Sequence, residues 1–433
     1  MARPRIVIVG AGFAGYHCAR KLARLARGRA DILLLNPTDY FLYLPLLPEV
    51  AASGLEPRRI AVSIPGTIGG DVRLVLGTAT GVDLDGRRVD FTDPEGGKGE
   101  LRYDRLVLAA GSVNKLLPIP GVAEHAHGFR GIFEALYLRD HITRQVELAD
   151  ATDDREERAA RLTFVVVGAG YTGTEVAAHG ALFTRDLVAR HPRLADDAVR
   201  WLLLDLADRV LPELDQRLSR TADRVLRERD IDVRTGTSVK EATYEGVHLS
   251  DGGFVPTRTL MWCVGVRPDP LVADLGLPTN KGRLVVDEFL GVPGRPEVLA
   301  CGDAAAVPDL TRPGEITAMT AQHASRQGRL AAHNIAASYG RGKPRPYKHH
   351  DLGFVVDLGG VQAAADPLGV PLGGPMAKAV TAGYHLAAMP GNRVRTAADW
   401  ALNSVLQRET VQLGLVRAPA VPLDTTTPGV RTM

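Results

Sequence analysis

Two stretches of this 433-residue chain follow the same pattern of apolar and polar positions. The β-branched run "RIVIV" (5–9) stops at a glycine turn, helical periodicity follows to about Leu25, and "DILLL" (31–35) is the next strand. The pattern restarts at "LTFVVVGAG", with a helix to about Arg190, a strand in "AVRWLLLD" (198–205), a helix over 214–229 and a closing strand in "TLMWCVG" (259–265). Between the two units, strands are expected at 72–76, 80–84, 87–92 and 100–103, with "DPEGGKG" (93–99) as a hairpin loop and "RLVLAAG" (105–111) as a buried strand. Residues 132–160 read as one helix ending in a charge-dense, solvated face. After "EVLACGDAAAV" a helix is expected from about Thr317 to Ser338, then a proline-rich linker (342–348). The tail "TTTPGVRTM" has the composition of a disordered end.

Each unit places Gly-x-Gly-x-x-Gly between strand and helix: Gly10, Gly12 and Gly15, then Gly168, Gly170 and Gly173. The first glycine makes the tight turn, the second admits a pyrophosphate to the backbone, and the third lets helix and strand pack closely. The helix N-terminus adds its dipole and free N–H groups. One such turn is weak evidence, but two in β-α-β context point to two dinucleotides and to an α/β fold with two Rossmann-like domains. The acid expected at the end of the second strand falls on Asp205 in the second unit, where a carboxylate favours NADH over NADPH; Arg209 nearby keeps NADPH open. In the first unit that place holds Asn36, which can accept only a weaker bond from a ribose hydroxyl.

Composition narrows the classes further. Net charge is +2 with no long basic run, which gives no reason to expect nucleic acid. Cys18, Cys263 and Cys301 are too scattered for a C-x-x-C redox pair or a zinc site and suggest a reducing compartment. Twelve histidines, His323 and the pair His349-His350 among them, show no metal-ligand spacing, so no metal is expected. No apolar run reaches the ~18 residues of a spanning helix, and a cytoplasmic protein is expected, possible contact with a membrane surface aside.

With both turns placed, the chain resembles the two-dinucleotide flavoproteins, and within them the type II NADH:quinone oxidoreductases. The resemblance is carried by "GAGFAG", "DYFLYLPLLPEVA" (39–51), "LVLAAGSVNKLLPIPG" (106–121), "GAGYTGTEVA" (168–177), "MWCVGVRPDP" (261–270), "LACGDAAAVP" (299–308) and "TAQHASRQG" (320–328). It implies a split FAD domain (1–125 and 270–340), an inserted NADH domain (126–269) and a small C-terminal domain (341–433) facing a membrane. It further implies FAD held by Gly10, Gly12, Gly15, Asn36, Ala110, Gly111 and Asp303, and NADH by Gly168, Gly170, Gly173, Glu175, Asp205 and Gly265. Electrons would pass from NADH to FAD to a quinone, in a protein lying on the inner face of the cell membrane, with a homodimer as one assembly it allows.

Hydride transfer from nicotinamide to flavin needs ring stacking and water exclusion rather than an acid, base or metal. Glu175 has two readings, an acid favoured by the helix dipole or a group managing protons for the quinone. The family's A-Q-x-A-x-Q motif is matched at Ala321, Gln322 and Ala324, but Arg326 replaces the second glutamine, with Gln327 beside it. Arg326 either orients a quinone carbonyl or marks another acceptor, and Lys378 is a further candidate for that cavity. Near the C-terminus, Trp400, Leu402, Val405 and Leu406 recur at helical spacing beside Arg393, Arg395 and Arg408, as a membrane-surface helix or an ordinary packing helix would. Two rival functions stay open here: a soluble NAD(P)H-dependent flavin reductase with another small acceptor, and a non-catalytic NADH sensor.

Overall fold

The computed structural model describes residues 3–349, 352–408 and 410–424. His350 and the tail 425–433 lie outside the described residues. The first unit runs β1 (Arg5–Val9), α1 (Phe13–Ala26), β2 (Asp31–Asn36), the short helix α2 (Leu47–Ala51), β3 (Val72–Leu76) and β4 (Arg105–Leu108). The second runs β5 (Ala126–Gly128), α3 (Ile132–Ala151), β6 (Thr163–Val167), α4 (Tyr171–Val188), β7 (Arg200–Asp205), α5 (Gln216–Arg227), β8 (Ile231–Thr235) and β9 (Thr259–Trp262). The chain then supplies β10 (Gly291–Val292), β11 (Arg295–Ala300) and α6 (Ala321–Ser338). Last come β12 (Val355–Asp357), β13 (Ala363–Ala365), β14 (Leu372–Gly373), α7 (Gly374–Ala388) and α8 (Arg393–Asn403).

The strands form two parallel sheets, in the orders β10-β11-β4-β1-β2-β3 and β5-β9-β6-β7-β8, with β10 the antiparallel edge of the first. β11 pairs in parallel with β4, so a segment near residue 300 completes the sheet begun at Arg5, and the whole second sheet lies between them in sequence. Val7, Ile8, Leu33, Leu34, Leu106 and Val107 are all fully buried, as strands covered on both faces must be. These are the continuous apolar runs seen in the sequence. α1 packs along α6, and Gly328 makes this possible, since a Cβ there would lie 2.0 Å from the Ala14 carbonyl oxygen.

Four local expectations are corrected. The helix expected over 132–160 breaks after Ala151, because Asp154 caps a new helix (Arg155–Arg161) by accepting from the Glu156 and Glu157 N–H groups at 2.9 and 3.3 Å. The helix expected from Thr317 begins at Ala321, with the Thr320 hydroxyl accepting from His323 N at 3.3 Å. The strand placed at 80–84 runs instead over Thr78–Asp83. α8 ends at Asn403, so Val405 and Leu406 follow the helix rather than extend its face.

Candidate active site

The two glycine turns are built alike. Gly10 and Gly168 sit at φ +91° and +102°, left-handed values that a side chain would resist. A Cβ on Gly15 would lie 1.8 Å from the Gly10 carbonyl oxygen, and one on Gly173 would lie 1.8 Å from that of Gly168. At Gly12 and Gly170 a Cβ would meet nothing within 4 Å, and neither helix N-terminus has a side-chain cap. Open space in front of two uncapped helix N-termini suits two pyrophosphates, so the turns fit both dinucleotides.

The residue ending the second strand plays the same structural part in each unit. Asn36 Oδ1 accepts from Ala11 N at 2.8 Å, and Asp205 Oδ2 accepts from Ala169 N at 2.5 Å. The Asn36 amide nitrogen is used locally, donating to Thr38 O and Oγ1 at 2.8 and 3.0 Å. One lone pair of its oxygen is left for a ribose. Asp205 also accepts from Ala207 N at 2.7 Å, yet a carboxylate keeps further acceptor capacity for a vicinal diol. Arg209 donates to the Leu214 and Pro212 carbonyls at 2.9 and 2.7 Å, so its fork is engaged in its own loop.

A two-stranded antiparallel ribbon, 112–114 against 266–268, links the units. Gly111 and Gly265 lie at its ends, with φ +78° and +100°. The partly exposed Ala110 precedes the first of them. The Asp303 carboxylate accepts from Ser112 Oγ at 2.7 Å, which places it beside the same ribbon. The neighbouring Gly302 N–H donates at 2.8 Å to Oε1 of Gln327, a fully buried side chain whose amide also donates to Thr317 Oγ1 at 3.0 Å. Gln327 therefore ties α6 to the Asp303 turn and is not free to replace the missing glutamine.

Gln322, Glu175 and Lys378 converge on one segment, 353–357. Gln322 Nε2 donates to Gly353 O at 2.8 Å, while its Oε1 is buried without a partner among the described residues. Glu175 Oε1 accepts from Asp357 N at 2.9 Å, and Lys378 Nζ donates to Asp357 Oδ2 at 2.5 Å. The segment 353–357 thus carries contacts from α6, α4 and α7. Besides Asp357 itself, two groups around it were missed from the sequence, Glu49 and His179. Glu49 on α2 is 3.6 Å from Lys378 Nζ and accepts from Trp400 Nε1 at 2.6 Å, and His179 Nε2 is 3.5 Å from Asp357 Oδ1. Glu49, His179 and Asp357 could share a cation, a cluster that sequence spacing did not suggest; the Lys378 ammonium already lies against Asp357.

Electrostatics sorts these groups into charged and neutral. Burial opposes the Asp357 carboxylate, but the His179 ring and Lys378 outweigh it and hold that carboxyl well below its usual range. Burial alone would weaken the Lys378 ammonium, yet Glu49 and Asp357 keep its pKa above ordinary. Burial, followed by the adjacent Asp357 charge, pushes Glu49 upward. Burial raises Glu175 well above the carboxylate range against the opposing Asp357 N–H bond. His179 is lowered, mainly by burial. The Lys378–Asp357 ion pair is thus flanked by two carboxyls, Glu49 and Glu175, whose charged forms burial disfavours.

Arg326 stands apart from this group. Its Nη1 is 2.9 Å from His349 Nδ1, and it lines a separate basic cavity with Lys21 and Arg329. Trp400 is also on an inward face, bonded to Glu49, while Asp399 pairs with Arg59 at 2.8 Å and Asn403 donates to Gly54 O at 2.8 Å. α8 is therefore a packing helix on that side, and its tryptophan is not part of an outward apolar face. The three cysteines are free, and burial pushes the Cys263 and Cys301 thiols up to about 12. Such thiols do not serve as a dithiol relay.

The family model for pyridine nucleotide-disulphide oxidoreductases matches residues 4–328. The type II NADH:quinone oxidoreductase Ndh of Mycobacterium tuberculosis is 30% identical over 423 residues, covering 94% of this chain and 89% of that protein. The demethylphylloquinone reductase NdbB of Synechocystis is 30% identical over 87% of this chain and 90% of its own length. A solved structure of NDH2 from Plasmodium falciparum in complex with NADH superposes with a TM-score of 0.88 at 19% identity, covering 95% of this chain and 100% of that one. The twin turns, the interleaved sheets and these likenesses agree: the chain belongs to the pyridine nucleotide-disulphide oxidoreductases, within the family of type II NADH:quinone oxidoreductases.

Proposed function

We propose that this protein oxidises NADH by way of bound FAD and delivers two electrons and two protons to a quinone, giving NAD⁺ and a hydroquinone. The observation that carries the reading is the second glycine turn, which repeats the first in φ, in close approach and in open space at the helix N-terminus. In this reading FAD lies at Gly10, Gly12 and Gly15, with Asn36, Ala110, Gly111 and Asp303 around it. NADH lies at Gly168, Gly170, Gly173 and Gly265, with Asp205 on its ribose. FAD supplies the hydride acceptor and the electron store, chemistry that no side chain here can perform.

The acceptor side rests on the protein's own groups. Gln322 Oε1, a buried acceptor without a donor among the described residues, is available to a ligand. Quinone reduction consumes protons as well as electrons, and burial favours the protonated form of the Glu175 carboxyl, the form able to give one. The Lys378–Asp357 pair lies on the segment 353–357, which both groups contact.

Membrane attachment is part of the proposal. Among the described residues no helix is long and apolar enough to cross a membrane. Met376, Val394, Leu402, Val405, Leu406, Val411, Leu413 and Leu415 are nonetheless exposed, from 56% to 83%. An apolar set this large in the C-terminal region suits a membrane surface on the inner side of the cell membrane.

Anaerobic stopped-flow tests the reading in its two halves. NADH should bleach the flavin, and a short-chain ubiquinone or menaquinone analogue should restore its colour. Gln322→Ala should slow the second half-reaction about tenfold or more, the effect of ~1.4 kcal/mol, and leave the first nearly unchanged. A protein that binds no FAD, or a reduced flavin that quinone cannot reoxidise, sinks the proposal.

A further inference from the structure

We propose that the cavity between α1, α6 and the segment 345–348 binds a phosphate group, at a site separate from both dinucleotide turns. The cavity has a volume of about 310 Å³ and is walled by Lys21 of α1, by Arg326, Arg329 and His333 of α6, and by Arg345 and Lys348. The α6 residues recur at i, i+3 and i+7, so they form one stripe of the helix. No aspartate or glutamate lines the space. Among the described residues, Lys21, Arg329, Arg345 and Lys348 make no ion pair with a carboxylate. The whole chain carries only +2, so five cations around one cavity are a local excess rather than a reflection of composition.

The wall behind the cavity is held in place. Arg345 N donates to Asn334 Oδ1 at 2.9 Å, and Asn334 Nδ2 donates back to Arg345 O at 3.0 Å. Tyr347 N donates to Glu288 O at 2.7 Å, and its hydroxyl meets His323 Nδ1 at 2.8 Å. Burial, and then the charges of Arg326 and Arg20, hold the Arg329 guanidinium below its ordinary range, as expected of like charges crowded together. Guanidinium and ammonium donors lining one space match the oxygens of a tetrahedral phosphate group, ester or diester. Two sources carry the same chemistry, a soluble phosphate compound and the headgroup of an anionic lipid.

The test uses the full FAD-loaded chain without turnover, so it is independent of the acceptor. One arm is calorimetric titration with inorganic phosphate and pyrophosphate at low salt. The other is flotation with phosphatidylcholine vesicles, plain or containing about 30% phosphatidylglycerol. Arg345→Gln combined with Lys348→Gln removes two wall charges and leaves the backbone ties of that wall. A loss of affinity of about tenfold is expected, stronger at low salt than at high. Loss in the first arm identifies a soluble phosphate, and loss confined to phosphatidylglycerol vesicles identifies a headgroup. Flavin reduction by NADH and the melting temperature, both unchanged, show that the variant is folded. Arg217→Gln with Arg220→Gln on the exposed face of α5 removes the same charge elsewhere. Binding that the wall variant leaves intact in both arms, no binding by the wild type, or an equal loss in the α5 control would overturn the proposal.

Discussion

Lys378→Met removes the lysine ammonium of the buried cluster and keeps most of the side chain's bulk. Lys378 Nζ lies 2.5 Å from Asp357 Oδ2 and 3.6 Å from Glu49 Oε1, and the three side chains are 25%, 5% and 7% exposed. Without the ammonium, Asp357 is a buried anion whose remaining partner is the His179 ring, and burial opposes the charged form of that ring. Removing one partner of a buried pair costs about 3–5 kcal/mol, and the lysine's partial exposure places the expectation near the lower end. Asp357→Asn makes the contrast. There Glu49 is relieved of Asp357's repulsion and can ionise against the same ammonium, so a loss of only about 1 kcal/mol is expected. In the methionine variant the folded pKa of Asp357 rises above its unfolded value of about 3.9. The penalty is then complete at high pH and fades as pH falls through the folded pKa. Urea unfolding of FAD-loaded protein, followed by tryptophan and flavin fluorescence at about pH 8 and about pH 5.5, measures both terms. A methionine variant within about 1 kcal/mol of wild type at pH 8, or a penalty that does not shrink at pH 5.5, would refute the reasoning.

Asp205 should favour NADH over NADPH by about tenfold or more in kcat/KM, and Asp205→Asn should narrow that ratio; equal use of both cofactors by the wild type would show that Asp205 does not meet the ribose. Gly173→Ala places a methyl 1.8 Å from the Gly168 carbonyl oxygen, so flavin reduction by NADH should fall at least about a hundredfold while the flavin spectrum persists. Glu175 has a raised pKa, so its proton is present below that value and is lost as pH rises. Flavin reoxidation by quinone should therefore fall on the alkaline side in the wild type; Glu175→Gln should be slower and flat with pH, and a retained alkaline fall in the variant would assign the titration to another group.

The glycine turns were legible because their cause is local. A positive φ at Gly10 and Gly168 and the close approach at Gly15 and Gly173 are demands that a few consecutive residues must meet, and only glycine meets them. The apolar strands were legible for a related reason, since a strand covered on both faces carries an unbroken apolar run. Helix ends were harder. Asp154 sits inside a stretch of helical periodicity, and only its hydrogen bonds show that it starts a new helix. At Trp400, spacing allowed a membrane face or a packing face, and the Glu49 carboxyl decided for packing.

The amino-acid sequence by itself determined two parallel-sheet units, their glycine turns, Asp205 and Asn36 at the ends of their second strands, and the absence of a cysteine pair close in sequence. Each of these is a property of neighbouring residues or of composition. Only the tertiary structure decided that Glu49, Glu175, His179, Asp357 and Lys378 form one cluster, because they come from segments of the chain far apart in sequence. It also separated Arg326 from Gln322, one helical turn away, and assigned Gln327 to the Gly302 turn. Charge state follows the same division. Whether a carboxyl is an anion or a proton donor depends on burial and on the charges beside it, and those are fixed only when distant segments pack together.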